Sequence, residues 1–332
     1  MKSSNASTSA FGWDFQCNAA IAIMLKNIAK ATCVKVEGEN EDIEVTLSDG
    51  KIIFSQAKSV SNPHNDFTHV TKNLKDALRT LNKAAKTTKI DKLIYITNSP
   101  NPFNNKHTMA AFSGSLISRP YSELPDVCQD KLEKFCQAEA YDFNRDQFFI
   151  YVMQFYGNDD EIRYLAVKDL INEFLSSLDL RYTGLAPKLL EIWQRWFFIN
   201  ATQKIVNITK KEMIWPLIVH VCGINNEDEM LANCDEGECE EVMLKYESLI
   251  NNNSERFEFV TKVMSAYNLF EPAMKSKERT QKFISNQWTE FQSEFDAPNL
   301  SSNVLEIIVK FAVASVIKRR SVIARINKEV NL

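Results

Sequence analysis

Three short stretches near the start of the chain confine that region to an antiparallel meander. Thr32, Cys33, Val34, Lys35, Val36 and Glu37 are rich in β-branched and apolar side chains, which suit a pleated, half-buried surface. Asp42 to Leu47 alternates polar and apolar with period two, as a strand buried on one face does. Ser48, Asp49 and Gly50 form a turn signal, and Lys51 to Lys58 returns as the neighbouring strand. A helix from Trp13 to about Ala31 precedes them, with Phe15, Ala19, Ala22 and Ile23 in an apolar stripe at helical spacing.

The pattern then changes twice. A helix is predicted from Phe67 to Ala85, where Val70, Leu74, Ala77, Leu78 and Leu81 share one face. Lys92 to Thr97 is a short apolar run stopped by Asn98, Ser99 and Pro100, the mark of a buried central strand. Asn101 to Pro120 reads as loop with a short helix, Tyr121 to Ala140 as a helix, and Gln147 to Phe155 as one more strand. From Asp159 onward almost every segment has helical periodicity: Glu161–Ser176, Pro187–Asn200, Thr209–Cys222, Glu240–Ile250, Phe257–Leu269, Arg279–Phe295 and Val304–Lys328. Acidic residues crowd between Asn225 and Glu241 and mark a solvated loop. The expected organisation is an α/β core of residues 1–155, a central mixed sheet flanked by helices, followed by an all-α domain of residues 156–332. Only 8 glycines and 9 prolines occur, too little punctuation for a fold made mostly of tight turns.

Net charge is −4, so a nucleic-acid contact has to be local or assisted by a partner. Met1 to Ala10 has no apolar run like that of a signal peptide, and Ile214 to Val221 is too short to span a bilayer. The short apolar runs fit no membrane association, and the 7 cysteines, odd in number and scattered, fit reduced thiols in a cytoplasm.

Chemistry is concentrated at Glu37, Asp42, Gln56 and Lys58. Asp42 begins one strand of a hairpin, and Gln56 and Lys58 come back level with it on the next. Gln56 and Lys58 point to the same face, because side chains alternate along a strand. A carboxylate, an amide oxygen and a lysine thus meet at one end of a sheet. A hard cation such as Mg²⁺ takes oxygen ligands of this kind and polarises a phosphodiester, while a lysine beside it orients the attacking water and offsets developing charge.

This pattern resembles the PD-(D/E)xK nuclease superfamily, in the variant with glutamine at the acid position of the second half-motif, here Gln56, Ala57 and Lys58. The ordered set Phe11 to Gln16 before a helix, Val36 and Glu37, Glu41 to Ile43, Ser55 to Lys58, and Tyr95 to Asn98 is similar to the nuclease domain of the CD-NTase-associated endonuclease family. The resemblance covers roughly residues 10 to 155. It implies a restriction-endonuclease-like core and cleavage of double-stranded DNA with Mg²⁺, or Mn²⁺ in its place. By that resemblance Asp42 is the main metal ligand, Gln56 a neutral second ligand, Glu37 an extra ligand, Lys58 the catalytic lysine, and Gln16 a residue lining the site. It also implies an effector of bacterial anti-phage and anti-plasmid defence, oligomeric on activation. Its partners would be an SMC-like ATPase, as in Lamassu systems, or a HerA-like ATPase, with other defence subunits. Residues after 155 show no ligand-sensing domain of the family, so the regulator is expected on another chain.

Plainer readings accompany these. Asp42 and Lys58 also suit a cross-strand ion pair, and the whole chain also suits a non-catalytic scaffold docked onto an ATPase. The motif does not distinguish DNA from RNA. Glu37 belongs with Glu39, Glu41 and Glu44 to what reads as a solvated acidic turn. His64, His69, His107 and His220 have no metal spacing, and Cys222, Cys234 and Cys239 form no paired motif. Trp193, Trp196, Phe197 and Phe198 read as core packing, and the cations Lys318, Arg319, Arg320, Arg325 and Lys328 as a DNA or partner contact or as helix-dipole compensation.

Overall fold

The computed structural model describes residues 6–86, 89–180, 184–203, 207–222, 242, 245–246, 248–250, 252–254, 256–295 and 300–332. Its core is a seven-stranded mixed sheet. The strands are β1 (Ala31–Val36), β2 (Ile43–Leu47), β3 (Ile52–Lys58), β4 (Ile90–Thr97), β5 (Leu116–Pro120), β6 (Phe148–Met153) and β7 (Ile208–Thr209). They lie in the order β5-β6-β4-β3-β2-β1-β7. β1, β2 and β3 form the antiparallel meander expected from their alternation, whereas β3, β4 and β6 run parallel. The parallel pairing follows from the connection: α2 (Val70–Ala84) carries the chain from the end of β3 back to the start of β4.

α2 covers one face of the sheet. Its Val70, Leu74, Ala77, Leu78 and Leu81 are buried, and most of this stripe packs in one cluster with Phe54, Leu93 and Tyr95. α3 (Asp126–Ala138) contributes Cys128, Leu132 and Cys136 to the same cluster. The stretch read as loop between Asn101 and Pro120 holds a 3-10 turn at Lys106–Phe112 and the edge strand β5. Leu116, Ile117, Ser118, Arg119 and Pro120 lack clean alternation, and all five are half-buried, which is why the period-two signal is weak there.

α1 (Ala6–Lys26) lies on the other side, and it accounts for where the first compact unit ends. Ala19, Ala20, Ile21, Ala22, Ile23 and Met24 are all fully buried, so this part of the helix is buried all round and needs cover beyond the sheet. α5 (Leu165–Ser177) and α6 (Leu185–Ala201), which follow the short α4 (Asp160–Arg163), pack on α1 and supply that cover. Gln194 on α6 donates to Asn18 Oδ1 at 2.9 Å, and the buried Asn200 accepts from the Val36 amide at 2.9 Å. β7 then pairs with β1 through Cys33–Thr209 and Val34–Ile208. The first unit therefore runs from Met1 to Met213, past the boundary expected near residue 156, and the second from Ile214 to Val330. The expected core packing of Trp193 and Phe197 is observed, with both side chains fully buried, whereas Phe198 is exposed.

The second unit is helical over its described residues. α7 (Lys210–Cys222) leads into it, followed by α8 (Phe257–Leu269), α9 (Ser276–Gln287), α10 (Ser302–Lys318) and α11 (Arg320–Val330). Phe259, Tyr267, Phe283 and Phe291 are buried together with the apolar face of α10. The terminal cations serve the fold in part: Arg319 donates to the Val221 carbonyl, and the Arg320 guanidinium lies 5.1 Å from the Tyr267 ring centre. The acidic stretch between Asn225 and Glu241, with Cys234 and Cys239, lies outside the described residues. Among the described residues, no helix is long and apolar enough to cross a membrane.

Candidate active site

Register places the central residues. Ile43 pairs with Ser55, so Asp42, one step outside β2, stands beside Gln56 on β3. Alternation then puts Gln56 and Lys58 on the face covered by α2, with Phe54 beneath them in its core. The Gln56 side-chain nitrogen donates to Asp42 Oδ2, and the Ala57 main-chain N–H donates to the same oxygen at 3.0 Å. Lys58 Nζ lies 3.8 Å from it, with about one third of its side chain exposed. Three groups thus converge on one carboxylate oxygen at the open end of the sheet. Gln56 itself is buried, and the Thr80 hydroxyl of α2 donates to its Oε1 at 2.7 Å.

The two other expected residues take a different position. Gln16 on α1 is buried, and its side-chain nitrogen donates to Glu37 Oε1 at 2.9 Å and to the Asp42 main-chain carbonyl at 3.0 Å. It therefore fixes the backbone that carries Asp42 rather than touching the Asp42 carboxylate. Glu37 has a positive φ of 54°, which turns the chain out of β1. Glu37 is exposed, and its carboxylate is engaged by Gln16.

Glu41 is the residue that sequence reading misplaced. It is 5% exposed instead of solvated, and among the described residues neither carboxylate oxygen accepts a well-formed hydrogen bond, the nearest donor being the Thr80 hydroxyl. Residues 41 and 42 form a bend, not a strand, so two neighbouring side chains can face the same way. The charges of Asp42 and Lys58 both act on Glu41, as does the Thr80 hydroxyl beside it, whose well-formed hydrogen bond goes to Gln56. The turn that brings it there folds over Glu44, whose Oε1 accepts from the Asn40 and Glu41 amides at 2.7 and 3.3 Å. A side chain at Gly38 would collide with that carboxylate, 2.3 Å from its carbon, so glycine allows the turn to close.

Burial dominates the electrostatics. It pushes Glu41 up to about 8, with the Asp42 charge adding to the rise and the Thr80 hydroxyl and Lys58 opposing it. Burial likewise raises Asp42 to about 6, against the pull of Lys58 and the Ala57 N–H, with Glu37 adding to the rise. Two acids and one lysine in a partly dry site leave an excess of negative potential when both acids ionise, and such a site favours a bound cation.

The donor set fits Mg²⁺. Asp42 offers a carboxylate, and Glu41 two buried oxygens that accept no well-formed hydrogen bond among the described residues. The Gln56 amide turns its nitrogen to Asp42 and its oxygen to Thr80, so it offers an oxygen to a cation at Asp42 only once the amide is turned over. Among the described residues, no three His, Cys, Asp or Glu side chains gather as a metal-binding group, so the set depends on the Gln56 amide. Asn98, at the end of β4, holds the loop after Lys58 in place. It accepts from the Val60 amide at 2.9 Å and donates to the Val60 and Phe155 carbonyls, both at 2.8 Å. Its signal was present in the sequence as the polar stop after the apolar run. The signal for Thr80 was absent, since a threonine on a helix has no period of its own.

Comparison of the chain with protein-family models, with curated proteins and with solved structures finds no match in any of the three.

Proposed function

We propose that this chain is a Mg²⁺-dependent endonuclease of the PD-(D/E)xK type that hydrolyses phosphodiesters of double-stranded DNA. The observation that carries the reading is the convergence of the Gln56 amide, the Ala57 N–H and the Lys58 ammonium on Asp42 Oδ2 at an open sheet end. A structural ion pair requires only Asp42 and Lys58. It does not explain an amide held between them and Thr80, nor a second carboxylate buried alongside.

In this reading Asp42 would hold the cation, with Gln56 joining it once its amide is turned to present Oε1, and the bound cation would supply positive charge to the scissile phosphate. Lys58, the most exposed of the three, holds the attacking water and offsets charge on the phosphorane oxygens. Gln16 fixes the Asp42 main chain and Thr80 fixes the Gln56 amide. Mn²⁺ serves in place of Mg²⁺. The net charge of −4 limits unaided DNA affinity, which favours an effector that works in a complex. The remainder of the reading is a subunit of a bacterial defence assembly, brought together by an SMC-like or HerA-like ATPase and oligomeric when active.

The test is a plasmid-cleavage assay with Mg²⁺, comparing wild type with Lys58→Ala over a range of protein concentrations. Linear or degraded DNA with wild type alone supports the reading. Equal cleavage by both overturns the role of Lys58. Absence of cleavage by wild type in the assembled complex favours a nuclease-fold scaffold, a reading with which the closed Asp42–Gln56–Thr80 network is compatible.

A further inference from the structure

We propose that Glu41 is a second carboxylate ligand of the divalent cation at this site, providing the anionic oxygen that Gln56 lacks. The inference rests on the metal-dependent reading of Asp42, Gln56 and Lys58 and assigns a residue that the motif does not contain.

Three observations carry it. Glu41 is only 5% exposed, yet among the described residues neither carboxylate oxygen accepts a well-formed hydrogen bond. A buried carboxylate left in this state costs free energy, and natural structures keep such groups where a ligand completes them. Its surroundings are the residues of the site: Asp42 and Lys58 act on it through their charges, and the Thr80 hydroxyl, which also favours its charged form, has its better-formed bond to Gln56 Oε1 at 2.7 Å. Finally, the local chain is shaped to present it. The Gly38 N–H donates to the Glu41 carbonyl at 2.9 Å, and the Glu44 carboxylate caps the amides of Asn40 and Glu41. The resulting bend turns Glu41 inward next to Asp42, where a continuous strand would have sent the two to opposite faces.

The chemistry is complementary. An amide oxygen is a weaker ligand for Mg²⁺ than a carboxylate. With Asp42 alone the site would offer one negative charge, and Lys58 would cancel it. Glu41 restores a net negative donor set. The carboxylate displaced from β3 in the motif is thereby replaced from the turn before β2.

Mn²⁺ binding to the full chain, measured by calorimetry and by the Mn²⁺ electron paramagnetic resonance signal, tests this without relying on cleavage. Wild type, Glu41→Gln and Asp42→Asn are compared, with melting of each metal-free protein followed by circular dichroism. The expected result is at least about tenfold weaker Mn²⁺ binding by Glu41→Gln, with a metal-free melting temperature no lower than that of wild type. Wild-type affinity in Glu41→Gln, together with lost binding in Asp42→Asn, overturns the role of Glu41 and leaves the metal site standing. Wild-type protein that binds no Mn²⁺, alone or with a short DNA duplex, overturns both. A Glu41→Gln protein that melts well below wild type without metal assigns Glu41 to the fold and overturns the proposal. Should that variant fail to fold, Glu41→Asp shortens the side chain by one methylene while keeping its charge, and unchanged Mn²⁺ affinity there overturns the proposal equally.

Discussion

The Thr80 hydroxyl donates to Gln56 Oε1 at 2.7 Å, and this contact couples the helix that covers the sheet to the residue at the centre of the candidate site. The opposite end of the same amide donates to Asp42. Because a hydroxyl both donates and accepts, Thr80 can hold either face of the amide, whichever end is turned to Asp42. Thr80→Val keeps the shape and removes this hold. It is expected to lower stability by about 1 kcal/mol and to weaken Mn²⁺ binding, while Lys58 stays in place. Chemical denaturation and calorimetry on the same protein check it. Unchanged Mn²⁺ affinity would show that the amide needs no such support.

Lys58→Ala is expected to reduce DNA cleavage by about 100-fold or more, with little loss of stability. Its ion pair with Asp42 is long at 3.8 Å, and about one third of the lysine side chain is exposed. Such a pair contributes little to folding. A variant that loses stability as well as cleavage would point to the plain cross-strand ion pair.

Gln56→Glu separates stability from metal binding. The new carboxylate loses the donation to Asp42 and adds a third acid beside Asp42 and Glu41. The metal-free protein is expected to melt below wild type. Its Mn²⁺ affinity is expected to rise by about tenfold, equivalent to ~1.4 kcal/mol. Melting curves with and without Mn²⁺ read both effects, and a fall in affinity would mean that the cation does not contact position 56.

The acids also set a pH dependence for the metal-free protein. Folding raises Glu41 from 4.5 to about 8 and Asp42 from 3.8 to about 6. Between those limits the folded state binds more protons than the unfolded one, so these groups make stability fall as pH rises. Melting temperature is expected to drop between pH 5 and pH 8 through their contribution, and Glu41→Gln should flatten the upper part of that slope. A Glu41→Gln curve parallel to wild type over that range would refute the assignment of the slope to Glu41.

Asn98→Ala removes three hydrogen bonds that tie the end of β4 to the loop after β3 and to the chain just after β6, and leaves the Val60 and Phe155 carbonyls without that donor. Asn98 is 3% exposed, and the expected loss is roughly 2–3 kcal/mol. Cleavage should fall as well, since the loop leads directly from Lys58. Urea denaturation checks the first expectation and the plasmid assay the second.

Period-two alternation in β2 and the turn at Ser48 to Gly50 were sufficient to pair Asp42 with Gln56 and Lys58. Pairing register and side-chain alternation are local properties, and the hairpin obeys them. The helical face of α2 was legible for the same reason. Local pattern alone did not show that α1 is covered on both sides, although its run of apolar residues from Ala19 to Met24 carried the signal. It also could not show β5, whose half-buried positions have no clean period.

What the sequence by itself determined, then, is the meander, the α2 stripe, the helical character of the later segments and the meeting of Asp42, Gln56 and Lys58. Each depends on neighbours close along the chain. Tertiary structure decided which helices complete the first unit, because burial of α1 depends on α5 and α6 far along the chain. It also decided the position of Glu41. A glutamate in an acidic turn is normally solvated, and only the bend over Glu44, closed against the sheet and α2, takes its carboxylate out of water.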